Sequence, residues 1–466
     1  MHSPQKKSYG FSPVEVLLAS TLFGVIVTGM IGALIYGQLA NANSGDRIRA
    51  TMLADEGVQA VRSIRNLTYG DLVNGTFGLV QVAGKWTLSG ASDASSIYTR
   101  ETTISATTVN TKLITSTVSW TQNGSARSVS VKSILSNWAA TVKTWVNTIL
   151  MGSYDASGTT NAYKVATQGN FAYLIRNSTT GPNFIIINIS NPATPVLVGS
   201  LTLANIPTGI AVSGNYAYIS NSGSATEMQT VNITTPSAPT LTSTYNAAGN
   251  AGGLSIFAAG TTVYLGRASN GGSGEFLILN VAVPATPTVT GSYGLAVAMN
   301  EIAVAGNFAY VATNSGTQEL IILSLATPAL PTRVSLISTT GTAAATGVAV
   351  AGTVVYIVAG TLVTAIDVTV PATPSQLGTY TLLGTGAGSE VVLDDSGTYL
   401  FVGSANTTAE LRVLSVATPA TITLSKTINV TGTASTIFGL AYSPSLNLIL
   451  AASASDTQEL LIYGQN

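Results

Sequence analysis

The pattern of apolar and polar positions first marks a long uncharged run near the start of the chain. Val16 to Gly37 spans 22 residues without a charge, which is enough for a helix to cross the hydrocarbon core of a bilayer. Lys6 and Lys7 precede this run, and positive charges there favour a cytoplasmic N-terminus. We therefore expect one membrane-spanning helix, with the rest of the chain on the outer side.

A second pattern predicts a small head outside the membrane. Apolar residues recur at spacings of three and four between residues 46 and 66, which predicts that the helix continues outward; they are Ile48, Met52, Leu53, Val61 and Ile64. Alternating apolar and polar residues then predict five strands with one face in water, near residues 76–82, 85–88, 98–105, 112–120 and 128–135. A helix packed on such a sheet is an α+β arrangement. Residues 137–148, which include Trp138 and Trp145, are expected to form a connector.

The rest of the chain repeats one strand signal about every 46 residues. Each copy has a turn followed by an aromatic strand, at Gly169–Tyr173, Gly214–Tyr218, Gly260–Tyr264, Gly306–Tyr310, Gly352–Tyr356 and Gly397–Phe401, with Ser445–Ile449 as a weaker seventh copy. A Pro-x-x-Pro turn follows an apolar strand at Pro192/Pro195, Pro236/Pro239, Pro284/Pro287, Pro328/Pro331 and Pro371/Pro374. Repetition at this period, with β-branched residues and turn prolines, predicts the four-stranded blades of a β-propeller.

The ends of the repeat array indicate how the ring closes. In the first copy we expect strands at Tyr173, at 184–189, at 196–201 and at 209–212. The last copy stops near Tyr463, and its missing strand resembles residues 149–154 at the front of the array. We therefore predict a seven-bladed propeller over residues 149–466 that is closed by strands from both ends, with six or eight blades as the alternatives.

Composition narrows the possible chemistry. The chain has no cysteine and a single histidine, His2, so we expect no metal, no cofactor and no Cys- or His-based catalysis. Charged residues make up 8% of the chain and the net charge is −1, which does not indicate a nucleic-acid partner. The acids of residues 151–466 show no close pair at recurring positions, and Asp394-Asp395 lies in a repeat turn rather than a calcium loop. No enzyme activity is expected.

The first fifteen residues carry a motif of known type. The sequence Lys6-Lys7-Ser-Tyr-Gly10-Phe11-Ser-Pro-Val-Glu15 resembles the processing site of type IV prepilins and pseudopilins. The resemblance implies that a prepilin peptidase cuts between Gly10 and Phe11 and methylates the new N-terminus at Phe11. It also implies that Glu15 pairs with the N-terminal amine of a neighbouring subunit during filament assembly, since a carboxylate among packed helices needs an opposite charge.

The repeats resemble a second family. Gly-Asn-x-Ala-Tyr, an apolar triplet and Asn-Pro-x-x-Pro are similar to the bacterial surface repeats named for the sequence Leu-Val-Ile-Val-Asp (LVIVD). Where that family often has aspartate, this chain keeps Asp367 alone and otherwise has Asn188, Asn232, Asn280, Ser324 and Ser415. A role that rests on a ring of those carboxylates is therefore not expected here. The repeat tyrosines are expected to be core residues rather than a platform for sugars.

Together these patterns predict a mainly β chain with a pilin-like long α-helix, a small α+β head and a seven-bladed β-propeller. The expected domains are a leader (1–10), the N-terminal helix (11–68), a β head (69–147) and the propeller (149–466). Because a propeller on every subunit would crowd a filament, we expect a minor or tip subunit of a type IV pilus-type filament that displays the propeller for adhesion. A structural pseudopilin of a type II secretion or DNA-uptake filament is the alternative, and a surface enzyme is a remote one.

These functions imply a set of partners and a location. The expected partners are prepilin peptidase, other pilin or pseudopilin subunits through the N-terminal helix, and an unknown surface ligand, glycan or protein. The chain is expected to cross the cytoplasmic membrane once before assembly. It is then expected in an extracellular filament or at the cell surface.

Overall fold

The computed structural model describes residues 21, 27, 28, 30 and 31, residues 45–66, residues 69–136 except 83, 109, 110 and 123, and residues 145–465 except 273, 340, 385 and 431–435. The chain divides into two compact units between Val142 and Lys143. The predicted processing and assembly residues Gly10, Phe11 and Glu15 lie outside the described residues.

From residue 45 onward, the described residues of the first unit form a helix and an antiparallel sheet. Helix α1 covers residues 45–66, and a 3-10 helix covers Tyr69–Asp71. The strands are β1 Gly75–Val82, β2 Lys85–Ser89, β3 Asp93–Ser95, β4 Tyr98–Thr108, β5 Thr111–Gln122 and β6 Ser125–Ser136. Their order in the sheet is β2-β1-β4-β5-β6, and the short β3, which the sequence pattern did not predict, pairs with β4.

Helix α1 packs on this sheet through small residues. Ala50 and Ala54 contact the cluster that includes Tyr98 and Trp120, whereas Ile48 and Met52 of the predicted apolar face are 57% and 68% exposed. At Gly57, a Cβ atom would lie 2.3 Å from Ser116 Oγ, so only glycine lets the helix approach this closely. Val61 and Ile64 of the predicted apolar face are buried in the main cluster of this unit, so the packed face combines large residues that the pattern predicted with small ones that it did not.

The predicted pilin-like helix over residues 11–68 is corrected by the structure. The helix described here covers residues 45–66 and carries seven charged residues. A long pilin-like helix is therefore not seen in the described part of the chain.

The predicted membrane anchor is corrected as well. Among the residues with described positions, no helix combines the length and the apolar sequence needed to cross a bilayer. The single-pass location in the cytoplasmic membrane, which rested on the uncharged run 16–37, is therefore not supported. Most of that run lies outside the described residues.

The second unit consists of seven four-stranded antiparallel sheets, which we number as blades 1 to 7. Blade 1 contains β8 Ala162–Gln168, β9 Phe171–Arg176, β10 Phe184–Asn188 and β11 Val196–Leu201. Blade 2 contains β12 Pro207–Ser213, β13 Tyr216–Asn221, β14 Met228–Asn232 and β15 Thr240–Tyr245. Blade 3 contains β16 Gly253–Ala259, β17 Thr262–Arg267, β18 Phe276–Asn280 and β19 Thr288–Tyr293. Blade 4 contains β20 Met299–Ala305, β21 Phe308–Thr313, β22 Leu320–Ser324 and β23 Thr332–Ile337.

The remaining blades follow the same plan. Blade 5 contains β24 Ala345–Ala351, β25 Val354–Ala359, β26 Leu362–Asp367 and β27 Ser375–Thr381. Blade 6 contains β28 Gly388–Leu393, β29 Tyr399–Ser404, β30 Leu411–Ser415 and β31 Thr423–Ile428. Blade 7 contains β32 Ile437–Ser443, β33 Leu448–Ser453, β34 Leu460–Gln465 and, from the front of the unit, β7 Thr148–Tyr154.

The blades close into a ring. The first strand of each blade contacts the first strand of the next, and the series ends where β32 contacts β8. An apolar cluster fills each of the seven interfaces between neighbouring blades. Strand β34 pairs with β7, from Leu460 opposite Tyr154 to Gln465 opposite Thr148. The two ends of the repeat array thus share one blade.

The first strand of a blade precedes the aromatic strand rather than ending the previous repeat. Residues 209–212, which we expected as the fourth strand of the first copy, lie in β12 and pair with β13. In six blades the turn between these two strands has a glycine at positive φ, and in blade 7 it has Asn447 at 51°. Glycine at the first central position is typical of a type II′ hairpin turn.

Trp145 lies in the second unit rather than in a free connector. It belongs to a 3-10 helix, Trp145–Asn147, that leads into β7, and its side chain is completely buried. Its ring packs edge-on against Phe401 at 4.8 Å between centroids. The core between blades 6 and 7 therefore includes a residue that precedes the first strand of the propeller.

Candidate ligand-binding site in the propeller channel

A β-bulge at the start of each first strand builds the channel wall. In every blade the pairing with the second strand skips the second residue of the first strand. Bulges redirect a side chain and are common beside functional sites. The skipped residues, which we call the channel ring, are Tyr163, Thr208, Leu254, Asn300, Thr346, Ser389 and Phe438.

The channel ring surrounds one cavity. All seven of its residues line a cavity of about 460 Å³, together with Lys164, Asn314 and Thr436 among others. This volume is typical of small-molecule sites. The repeat therefore places six different residue types at one structural position in seven blades, around a space large enough for a ligand.

Four members of the channel ring also tie neighbouring blades together. Thr208 Oγ1 donates to the carbonyl of Gly253 at 2.8 Å, and Thr346 Oγ1 donates to that of Gly388 at 2.8 Å. Asn300 Nδ2 donates to Ala345 O at 2.7 Å, and Ser389 Oγ donates to Ile437 O. Because the three hydroxyl groups use their single donor between blades, they offer acceptors to the cavity, whereas the amide of Asn300 keeps a second N–H and its oxygen.

The ring has an aromatic side where it closes. Tyr163 of blade 1 and Phe438 of blade 7 lie with their ring centroids 5.6 Å apart, tilted by 42°. Both side chains are partly exposed and both line the cavity. Asn300 and Asn314 come from blade 4, which is opposite the junction of blades 7 and 1 in a seven-bladed ring.

An ion-pair network crosses the channel beside the cavity. The ammonium of Lys164 lies 2.9 Å from a carboxylate oxygen of Glu301 and also contacts Glu390. The three side chains are 16%, 20% and 8% exposed, respectively. Each of them directly follows a channel-ring residue, so the two acids do occupy recurring positions. The expectation that no acids pair at recurring positions is therefore wrong.

Burial and charge oppose each other in this network. Burial alone would lower the pKa of Lys164, but the carboxylates of Glu301 and Glu390 outweigh it, and the pKa of Lys164 is raised. Burial raises the pKa of Glu390 to about 8, with repulsion from Glu301 adding to it and Lys164 opposing it. One ammonium thus compensates two carboxylates incompletely.

A second set of recurring acids serves the fold. Five glutamates directly precede the third strands of their blades and are fully buried, namely Glu227, Glu275, Glu319, Glu410 and Glu459. Each accepts a main-chain N–H from the loop that follows its own blade's last strand, as from Ala247 to Glu227. Arg267 pairs with Glu227 of the preceding blade at 3.1 Å. The sequence signal is a glutamate directly before the third strand in five of the seven blades, which the repeat spacing did not predict.

Other predicted features have structural roles. Tyr173, Tyr218, Tyr310 and Tyr356 are at most 3% exposed, which confirms them as core residues. Asp394 Oδ1 accepts the N–H groups of Thr398 and Tyr399, as expected of a turn. No group of three or more potential metal ligands occurs among the described residues.

LVIVD repeats often have aspartate at one position, which in this chain ends the third strand. The side chain at that position caps a turn. Asp367 Oδ1 accepts the N–H of the residue two positions later, and the side chains of Asn188, Asn232 and Asn280 do the same. An amide oxygen accepts this bond as well as a carboxylate does. The loss of the aspartates is therefore compatible with the same turn.

Comparison with known proteins supports the repeat and the fold. Residues 160–202, 207–247 and 298–337, which correspond to blades 1, 2 and 4, match the LVIVD repeat family. The chain therefore contains LVIVD repeats in a multi-bladed β-propeller-like arrangement, and the predicted resemblance to these repeats is confirmed. None of the matches bears on the prepilin-type motif of residues 6–15, which stays a prediction.

Two solved structures share the architecture. A chain in the crystal structure of a mitotic checkpoint complex has a TM-score of 0.54 at 13% identity, and the alignment covers 69% of this chain and 95% of that one. A protein from Lactobacillus plantarum has a TM-score of 0.51 at 12% identity, with 63% and 89% covered. At these identities the likeness shows the fold alone. No curated protein matches the chain.

Proposed function

We propose that this chain is a binding protein whose β-propeller holds a ligand at the mouth of its channel. The channel ring carries the proposal, because one bulge position in seven blades has seven solvent-accessible side chains of different chemistry. Tyr163, Leu254 and Phe438 replace the polar residues that link blades elsewhere in the ring. Their presence supports a role in the cavity rather than in ring assembly.

The two faces of the propeller differ in a way that supports this proposal. The turns between first and second strands, and the Pro-x-x-Pro turns after the third strands, repeat nearly the same residues around the ring. The loops at the opposite ends of these strands, around the cavity, differ more in length and sequence from blade to blade, although five of them share the buried glutamate before the third strand. Binding residues are found disproportionately on variable loops that a rigid scaffold holds in place.

The contacts of Glu301 and Glu390 with Lys164 favour binding over catalysis. Glu301 and Glu390 both contact Lys164, so neither carboxylate is a free base. A hydrolase that uses two carboxylates needs them on opposite sides of a substrate bond. Here the ammonium occupies the space between them.

The binding function is tested on the full-length chain with Asn314→Ala, which changes an exposed residue at the cavity. Immobilised glycans, peptides and proteins are screened for retention of the parent chain, and each hit is titrated against the variant. We expect at least one hit to bind about tenfold more weakly to Asn314→Ala. Asn307→Ala, in an exposed turn of the same blade, is the matched control. Hits that bind all three proteins equally would contradict the proposal.

Membership of a filament stays a prediction based on residues 6–15 alone. It includes a minor or tip subunit that displays the propeller and, as the alternative, a structural pseudopilin of a secretion or DNA-uptake filament. In a host with prepilin peptidase, we expect mass spectrometry to find mature chain that begins with methylated Phe11. Gly10→Val should accumulate uncut, because the predicted site requires a residue without a side chain there. Normal cleavage of Gly10→Val would contradict the prediction, and Gly24→Val serves as the control outside the motif.

A further inference from the structure

The mouth of the channel has two unlike walls. Tyr163 and Phe438 form an aromatic wall at the junction of blades 1 and 7. Asn300 and Asn314 of blade 4 form an amide wall on the far side of the ring. A ligand that fills the mouth therefore meets aromatic carbon on one side and hydrogen-bonding groups on the other.

The charge of the cavity favours a neutral ligand. Lys164 is the charged residue among those that line the cavity, and its ammonium already contacts Glu301 and Glu390. An anion would find no uncompensated positive charge there. A cation would have to compete with Lys164 for the same carboxylates, neither of which lines the cavity.

The hydrogen-bonding groups favour a ligand with hydroxyl groups. The hydroxyl groups of Thr208 and Thr346 donate to carbonyl oxygens of the next blade. The lone pairs of their oxygens can therefore accept hydrogen bonds from a ligand. A side-chain amide such as that of Asn314 both donates and accepts, and so does a hydroxyl group. A ligand with several hydroxyl groups can satisfy both kinds of partner.

A sugar ring combines these properties in one molecule. It has a face of C–H groups, which fits the electron-rich face of an aromatic ring, and hydroxyl groups at its edge. Resting on the binding function proposed above, we propose that the channel mouth binds a neutral saccharide. One sugar ring packs against Phe438 and Tyr163, and its hydroxyl groups bond to Asn314 and Asn300.

The test uses the full-length chain and immobilised oligosaccharides of glucose, galactose and mannose, with sialylated oligosaccharides and peptides as other classes. The best neutral oligosaccharide is then titrated by calorimetry. Phe438→Leu keeps apolar volume without the ring, and we expect it to weaken binding about tenfold, as Asn314→Ala should. Asn307→Ala, which changes an exposed turn residue outside the cavity lining, should stay within about twofold of the parent. Thermal unfolding of each variant verifies that the propeller is intact.

The outcomes separate this inference from the broader binding function. If the chain binds only peptides or only sialylated glycans, and Asn314→Ala weakens that binding, the assignment to neutral saccharides is overturned and the broader binding function stands. Neutral-sugar binding that no channel variant weakens would overturn both. Retention of no neutral oligosaccharide would overturn the inference directly.

Discussion

Lys164, Glu301 and Glu390 show how a ring of blades gathers residues that are far apart in the chain. Glu301 and Glu390 lie 137 and 226 positions from Lys164, and yet both contact its ammonium. All three follow a bulge in the first strand of a blade. Because two carboxylates share one cation in a mostly buried place, the raised pKa of Glu390 follows from the network.

This network predicts a dependence of stability on pH. With a pKa of about 8 in the folded chain and an ordinary value of 4.5, Glu390 holds its proton more tightly when folded. Its contribution to the free energy of unfolding is therefore complete below about pH 4.5 and is lost as the pH rises through about 8. Glu390→Gln removes this titration. We expect urea unfolding to show the variant gaining stability relative to the parent between about pH 5 and about pH 9.

Asp456→Asn, at an exposed position of the same unit, is the control for that measurement. Its difference from the parent should stay constant over this range of pH. Parallel pH profiles for the parent and Glu390→Gln would show that Glu390 does not titrate as proposed.

The recurring buried glutamates allow a matched comparison. Glu227 accepts the N–H of Ala247 and also pairs with Arg267, which is 1% exposed. Glu319 accepts the N–H of Thr339 and lies in no ion pair among the described residues. Glu227→Gln leaves a buried cation uncompensated, so we expect it to cost about 3 kcal/mol. Glu319→Gln should cost about 1 kcal/mol, and equal losses in chemical denaturation would contradict this account.

At the scale of the element, six of the seven outer strands are fitted to the next blade's proline turn. A Cβ atom at Gly199 would lie 2.2 Å from the carbonyl oxygen of Pro236. The same place in blade 2 holds Ser243, whose hydroxyl donates to Pro284 O at 2.7 Å. Gly199 and Ser243 each lie beside a β-bulge of the outer strand. Glycine or serine at this position thus sets the distance between neighbouring blades.

That contact predicts unequal costs for two substitutions. Gly199→Val forces the outer strand away from the next turn, and we expect it to destabilise the propeller by about 2 kcal/mol or more. Ser243→Gly loses one hydrogen bond and should cost about 1 kcal/mol. Thermal unfolding of both variants measures the difference. A harmless Gly199→Val would mean that the blades are not held at this spacing.

The repeat could be predicted from the sequence because its signals are local. The turn glycines and prolines and the aromatic strand recur within each copy, so strand and turn positions follow from neighbours in the chain. The channel ring could not be recognised in this way, because a bulge is a property of pairing between strands. Lys164 and its two acids are three separate residues in sequence and form a network only when the ring closes. The packed face of α1 was predicted in part: Val61 and Ile64 are buried as expected, whereas its alanines and Gly57 were not recognised, since alanine and glycine give a weak apolar signal.

At the scale of the whole molecule, closure depends on strands from both ends of the propeller. A fragment that begins at Lys143 keeps Trp145 and β7 and should be a monomer that unfolds in one step. Fragments 169–466 and 143–445 each leave strand edges unpaired, which recruit other chains, so we expect oligomers in light scattering. A fragment 147–466 should stay monomeric but lose about 3 kcal/mol, because it lacks the buried Trp145. A stable monomer of 169–466 would contradict the shared blade.

The pairing of β7 with β34 also has a consequence for synthesis on the ribosome. Tyr154 is opposite Leu460, so the partner of the first strand is translated about 300 residues later. At about 5–20 residues per second, that delay is about 15–60 s. During this interval β7 has no strand beside it, and Trp145 has neither Phe401 nor Tyr442 to pack against. The blade that is begun first is completed last, and slower translation lengthens the time for which the nascent chain exposes it.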